Sequence, residues 1–157
     1  MSYMQLAITS SLGPLYLIAS DEGLIGVHWD EQDVPHLKDH AGDGAASHLM
    51  LAAEQVQAYL SGERKHFDVP LAMKGTSFQR EVWNELLRIP YGQTISYSEL
   101  ASRVKRPKAF RAVGSANGKN PLCLIIPCHR VIASNASLGG YSGGLERKRW
   151  LLQLESL

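Results

Sequence analysis

Cysteine is scarce in this chain: 157 residues contain two, Cys123 and Cys128, and both sit on one short segment. A pair so close makes a poor disulfide framework and fits a reducing compartment. Metal-ligand patterns are missing as well. The six histidines, at positions 28, 36, 40, 48, 66 and 129, fall in no zinc-type spacing on a definite element, and no cysteine precedes position 123, so no metal and no cofactor are expected. No run approaches the ~18 apolar residues of a membrane span, and the polar start Met1 to Gln5 does not resemble a signal peptide, so a cytoplasmic protein without membrane contact is expected. Basic charge is almost absent from the first half. Residues 1–75 carry 4 Lys/Arg against 10 Asp/Glu, whereas residues 76–157 carry 12 against 5, so a net charge of +1 hides two opposite halves. A basic half is the electrostatic footprint of nucleic-acid contact, although a solvated basic surface would read the same way.

With 45% hydrophobic and 20% charged residues the chain can bury a core as one body or two small domains. Three short apolar segments, Leu6–Ile8, Leu15–Ala19 and Leu24–Trp29, are separated by the turn signals Gly13-Pro14 and Asp21-Glu22-Gly23. They read as antiparallel strands. Asp30 to Gly44 reads as a poorly ordered loop or an irregular helix. Ala45 to Leu60 repeats apolar residues at the helical period, with Ser61-Gly62 as its stop. His66 to Gly75 reads as an extended linker with one short strand.

A second domain then begins. Thr76 or Ser77 caps a helix predicted to reach about Arg88, with Phe78, Val82, Trp83, Leu86 and Leu87 as its core stripe. Ser96-Tyr97-Ser98-Glu99 has the form of a capping box and predicts a short helix to Val104. After a break at Lys105-Arg106, Pro107 suits the first turn of another helix running to about Asn117, and the pair has helix-turn-helix spacing. Ala109, Ala112, Gly114, Ser115, Ala116 and Gly118 are all small, whereas reading base edges in the major groove needs long polar side chains. That face suits close approach.

The apolar run Leu122–Ile126 between Pro121 and Pro127 reads as a buried strand that carries Cys128 to a rim. Cys128 is the best nucleophile candidate, since a thiol attacks as its thiolate and His129 and Arg130 adjoin it in sequence. An isolated buried cysteine is more often structural, so its surroundings decide the matter.

Those surroundings are distinctive. In order come Asn120-Pro121, the apolar run, Pro127-Cys128-His129-Arg130-Val131, Gly140-Tyr141-Ser142-Gly143-Gly144-Leu145, then Trp150-Leu151-Leu152 and Glu155. This order closely resembles the 6-O-alkylguanine-DNA alkyltransferases, densely from about Thr76 to Glu155 and thinly before, mainly through Leu12-Gly13-Pro14-Leu15. The resemblance implies an α+β protein with two domains. Residues 1–75 would form a small ribonuclease-H-like domain with antiparallel strands, and residues 76–157 a winged-helix-like domain that binds DNA and holds the alkyl acceptor.

The resemblance also implies roles. Cys128 would accept the alkyl group, His129 would activate it through a water, and Glu155 would orient the histidine. Asn120 would brace the active-site turn, and Tyr97 would meet the target phosphate and base. Val131 and Cys128 would offer main-chain carbonyls to the base's exocyclic amine, Ser142 a backbone contact to the guanine oxygen, and Tyr141 a pocket wall. Arg111 would fill the gap left by an extruded nucleotide, on a helix that docks in the minor groove of double-stranded DNA through Ala109, Ala112 and Gly114. Asn117 and Cys123 fall at pocket-edge positions that vary among relatives.

The implied activity is stoichiometric transfer from 6-O-methylguanine, and from 4-O-methylthymine, to the protein's own cysteine, by a monomer whose cooperativity on DNA stays open. Two other readings are a non-enzymatic lesion binder and a cysteine hydrolase. Lesion binders of the related kind lack the acceptor cysteine that this chain has. A hydrolase needs no helix-turn-helix, and adjacent Cys and His side chains diverge on an extended strand.

Overall fold

The computed structural model describes residues 3–39, 44–133, 135 and 138–157. The chain divides into two compact units, Met1–Lys74 and Gly75–Leu157. Among the described residues no helix is long and apolar enough to cross a membrane.

The first unit is built on a three-stranded antiparallel sheet, β1 (Met4–Ile8), β2 (Leu15–Ser20) and β3 (Gly23–His28), in that spatial order. Gly13 and Gly23 hold φ values of +107° and +155° at the two reversals, where a side chain would be strained. One helix, α1 (Gly44–Leu60), covers the sheet through Leu49, Ala52, Ala53, Val56, Tyr59 and Leu60. Three of its buried residues are alanines, which lets the helix lie close to the strands. Gly62, with φ +84°, ends it as the sequence predicts: its N–H bonds the Tyr59 carbonyl, while the Glu63 N–H reaches that of Ala58.

The supposed loop after β3 is partly ordered by β1. The Gln5 side chain, fully buried, donates to the carbonyls of Gln32 and Val34 and accepts from the Gln32 N–H, and Leu37–Asp39 form one 3₁₀ turn. Residues 40–43 of that segment lie outside the described residues. The supposed linker belongs to this unit too: Leu24 N–H bonds the Pro70 carbonyl and Ala72 N–H bonds that of Leu24, so Leu71 lies parallel to β3.

In the second unit α2 (Ser77–Leu86) starts at Thr76, whose hydroxyl accepts from the Gln79 N–H while the Gln79 side chain accepts from the Thr76 N–H. This reciprocal capping box is also legible as Thr-x-x-Gln. Trp83 on this helix is fully buried and donates its indole N–H to the Ala116 carbonyl at 2.8 Å. It thereby fixes α4 (Phe110–Gly118) against α2.

Between them run β4 (Ile95–Ser96) and α3 (Tyr97–Arg103), capped by Ser96 as expected. Glu99 completes no box; its carboxylate pairs with Arg103 one turn on. The helix-turn-helix break includes Lys105-Arg106 as expected, but it is longer than the sequence reading. Lys105 takes φ +63°, its N–H bonds the Ser102 carbonyl, and the Arg106 N–H reaches back to Ala101. A Schellman closure of this kind ends α3, and the chain needs a further turn around Pro107 before α4 can start at Phe110. Pro107 therefore precedes the second helix instead of opening it.

The largest correction concerns Leu122–Ile126, which is not a strand. It is a tight buried reversal: Ile126 N–H bonds the Leu122 carbonyl at 2.9 Å and Leu124 has φ +73°. All five residues are buried, and a continuous apolar run looks the same to periodicity whether it is extended or coiled. The short strand lies beyond it, where β5 (Val131–Ile132) pairs in parallel with β4. Helix α5 (Leu145–Glu155) completes the unit.

Lys105 is exposed, non-glycine and left-handed at a position that glycine favours. Lys105→Gly should stabilise the DNA-free protein by roughly 0.5–1 kcal/mol, strain relief outweighing glycine's backbone entropy. The check is the urea midpoint of the second unit's transition, which should rise; a fall would show that the left-handed turn is not strained.

Candidate active site

Everything at the site turns on how Cys128 is presented. The Asn120 side chain spans the neck of the buried reversal, its Nδ2 donating to the Ile126 carbonyl at 2.7 Å and its Oδ1 accepting from the Leu122 N–H at 2.9 Å. Groups that a β-ladder would have paired are thus paired by one amide. After Pro127 the chain makes a single 3₁₀ turn, Cys128–Arg130, so Cys128, His129 and Arg130 point in different directions.

Glu155, the last residue of α5, lies behind that turn. Its carboxylate accepts from Arg130 Nε at 2.7 Å and Arg130 Nη2 at 2.9 Å, and its Oε2 meets His129 Nε2 at 2.7 Å. All three side chains are almost wholly buried. Arg130 also donates to the Ile89 carbonyl at 2.7 Å and lies 5.5 Å above the Tyr91 ring. Arg130 enters the sequence reading only as a neighbour of the cysteine; its grip on Glu155 depends on a contact 25 residues away and left no local signal. It also changes what Glu155 is: removing the carboxylate strands a buried guanidinium, a loss worth about 3–5 kcal/mol.

Lys148 was invisible to sequence reasoning for the opposite reason, since a lysine on a terminal helix reads as surface. It is fully buried and donates to the Val131 carbonyl at 2.7 Å and the Gly140 carbonyl at 3.0 Å. Burial lowers its pKa to about 8, against the pull of nearby Cys128. It ties the Tyr141-Ser142 loop to β5.

A cavity of about 190 Å³ opens in front of the cysteine, lined by Tyr97, Gly114, Asn117, Gly118, Cys128, Gly140, Tyr141 and Ser142. So the structure gathers Cys128, Tyr97, Tyr141, Ser142 and Gly114 around one space, with His129, Glu155 and Asn120 supporting the cysteine from behind. Val131 lies outside the lining, its carbonyl already taken by Lys148. Arg111, Ala112 and Ser115 lie on the exposed face of α4 outside the cavity, and Ala109 is half-buried just before it. Arg111 makes no ion pair among the described residues.

The electrostatics keep the thiol protonated at rest. Burial raises Cys128 to about 11, against the opposing influence of Asn120, Lys148 and the local backbone. Burial also lowers His129, with the Glu155 hydrogen bond opposing, so the imidazole is neutral at pH 7 and can take a proton. Tyr97 is raised by burial and by Cys128, while Asn117 pulls it down, so its phenol keeps its proton as a donor.

A cavity floored by a cysteine, backed by a buried His-Glu pair and flanked by a helix-turn-helix that exposes Arg111, marks this two-unit α+β protein's candidate site. Comparison with known proteins narrows this. The model of the 6-O-methylguanine DNA methyltransferase ribonuclease-like domain matches residues 3–73, and that of the same family's DNA-binding domain matches residues 77–157. The chain is 47% identical over 150 residues to a methylated-DNA–protein-cysteine methyltransferase of Mycobacterium tuberculosis, covering 94% of this chain and 89% of that one. To its counterpart in Methanosarcina acetivorans it is 44% identical over 146 residues, covering 93% and 94%. The crystal structure of Mycobacterium tuberculosis OGT in complex with DNA superimposes with a TM-score of 0.87 at 43% identity, covering 98% of this chain and 92% of that one. The chain belongs to the 6-O-methylguanine DNA methyltransferase family.

Alkylation by a small probe reports the resting state of the thiol. In the DNA-free protein the iodoacetamide rate at Cys128 should climb about tenfold per pH unit from 7 to 10, because thiolate is scarce below a pKa of about 11. Cys123, pushed well above its usual range by burial and by Cys128, should stay unmodified. A rate plateau below pH 8.5 would contradict the assignment.

Proposed function

We propose that this chain is a DNA repair methyltransferase that removes the alkyl group of 6-O-methylguanine in duplex DNA by transfer to Cys128, one group per protein molecule. The observation that carries this is the Cys128 cavity: a nucleobase-sized space whose floor is a thiol and whose walls hold a protonated phenol. A base inside a duplex must be extruded to enter it.

Each proton has a place to go. With Nε2–H given to Glu155, the neutral imidazole has Nδ1 as its basic nitrogen, which takes the Cys128 proton through a water. The sulfur attacks the alkyl carbon as the carbon–oxygen bond breaks, leaving a guanine anion. Tyr97 donates its phenolic proton to the base, and the Ser142 backbone meets the guanine oxygen. The product is a thioether, which offers water no good leaving group, so the protein is consumed. The same displacement serves 4-O-methylthymine.

Delivery to the cavity falls to the basic unit. Helix α4 lies along the minor groove with its small face, Ala109, Ala112, Gly114 and Ser115, against the floor, and Arg111 enters the stack where the extruded nucleotide stood. Lys105, Lys108 and Lys119 meet phosphates. The protein acts as a monomer.

After incubation with methylated-guanine duplex, mass spectrometry should find one methyl group per molecule, on the peptide holding Cys128; repeated turnover by one copy would refute the reading. His129→Ala should slow transfer at least a hundredfold with duplex affinity unchanged within twofold. For Arg111→Ala the informative measurement is a pair of rates. Duplex repair should fall about tenfold or more while reaction with free 6-O-alkylguanine base, which needs no unstacking, holds. A proportional fall in both would remove Arg111 from the extrusion step.

A further inference from the structure

Asn117 is the one cavity-lining amide, and the proposed mechanism does not use it. It sits near the C-terminal end of α4 and is only 4% exposed. Its Nδ2 reaches the Cys128 carbonyl at 3.4 Å, long for a hydrogen bond between amide groups. Its Oδ1 is buried and accepts no hydrogen bond among the described residues, while its amide also hydrogen-bonds the Tyr97 phenol. A buried acceptor left open costs stability, and this one belongs to a residue that lines the cavity beside the reactive atom, so a donor on the base that fills the cavity would satisfy it.

The two bases proposed to enter differ at one edge. An alkylguanine carries the exocyclic N2 amine, two N–H donors, where an alkylthymine carries the O2 carbonyl, an acceptor. Most side chains serve one of these. A carboxamide serves both, because half a turn about its last torsion exchanges its carbonyl and amino groups. That half turn exchanges the long hydrogen bond to the Cys128 carbonyl and the one to Tyr97 for contacts to the base. Building on the repair reading, we infer that Asn117 sets the lesion range of this chain, its Oδ1 accepting from the amine of an alkylated guanine and its Nδ2 donating to the O2 of an alkylated thymine. Asp at this position would offer acceptors alone, and Leu would offer neither group.

The experiment measures single-turnover transfer rates for the full chain on duplexes carrying 6-O-methylguanine, 6-O-methylhypoxanthine, which lacks the amine, or 4-O-methylthymine. Wild type should react with all three, the hypoxanthine more slowly than the guanine. Asn117→Asp should raise the guanine-to-thymine rate ratio about tenfold; a ratio alters only if the side chain meets the base, so a general loss through the new charge beside Cys128 cancels. Asn117→Leu should shrink the penalty for deleting the amine about tenfold, the coupling expected when two groups touch. An unchanged ratio in the Asp variant, an undiminished amine penalty in the Leu variant, or no wild-type reaction with the thymine lesion would each overturn the inference. Absence of wild-type transfer from every lesion would instead overturn the repair reading beneath it.

Discussion

The buried carboxylate of Glu155 is the point on which the second unit depends. It closes a helix at its C-terminal end, where the helix dipole disfavours negative charge, and it does so almost wholly buried. Arg130 compensates through two hydrogen bonds and His129 through a third. The arginine then extends the tie to the Ile89 carbonyl and the Tyr91 ring, and just beyond them Gly92 comes so close to the Glu155 carbonyl that an added Cβ would lie 3.1 Å from it. One charge pair thus holds together the turn after α2, the 3₁₀ turn bearing Cys128 and the end of α5. The cysteine's position is a consequence of that junction and of the Asn120 brace.

The same burial explains why the thiol is quiet. A low-pKa cysteine would be open to oxidation and stray electrophiles, whereas Cys128 is driven up to about 11 and is only 3% exposed. On the proposed mechanism the protein is spent by one reaction and gains from this. Reactivity is then conditional on a substrate that fills the cavity, places its carbon against sulfur and brings a leaving oxygen whose charge the walls can meet. Lys148 supplies fixed charge near the sulfur, and its two carbonyl partners keep the Tyr141-Ser142 loop in place.

Much of this was legible in the chain, and the exceptions have physical reasons. The three strands, α1 with its Gly62 stop, and the caps at Thr76 and Ser96 each rest on local signals within a few residues, and the structure keeps them. The run Leu122–Ile126 was misread because hydrophobicity without alternation marks burial and says nothing of extension; the cue was Asn120, whose amide can replace a ladder. Pro107 was placed one turn early because Lys105 takes a left-handed conformation that only a glycine would have announced. Arg130 and Lys148 escaped notice because their partners come from distant segments. Cys128, Tyr97, Tyr141 and Ser142 could be grouped only through the order of family motifs, and the fold brings them around a single cavity.

If Glu155 organises the site as described, His129 must be neutral and carry its proton on Nε2 in the resting protein. Heteronuclear NMR of the imidazole nitrogens, followed from pH 5 to pH 8, tests this directly. The account predicts Nε2–H and a titration midpoint below the ordinary 6.5, because burial lowers the histidine. The unfolded chain would then bind the extra proton, so stability should be level above pH 6.5 and decline as pH falls below it. A His129 that titrates at or above 6.5, or that carries its proton on Nδ1, would contradict the claim that the Glu155 carboxylate fixes the base behind the cysteine.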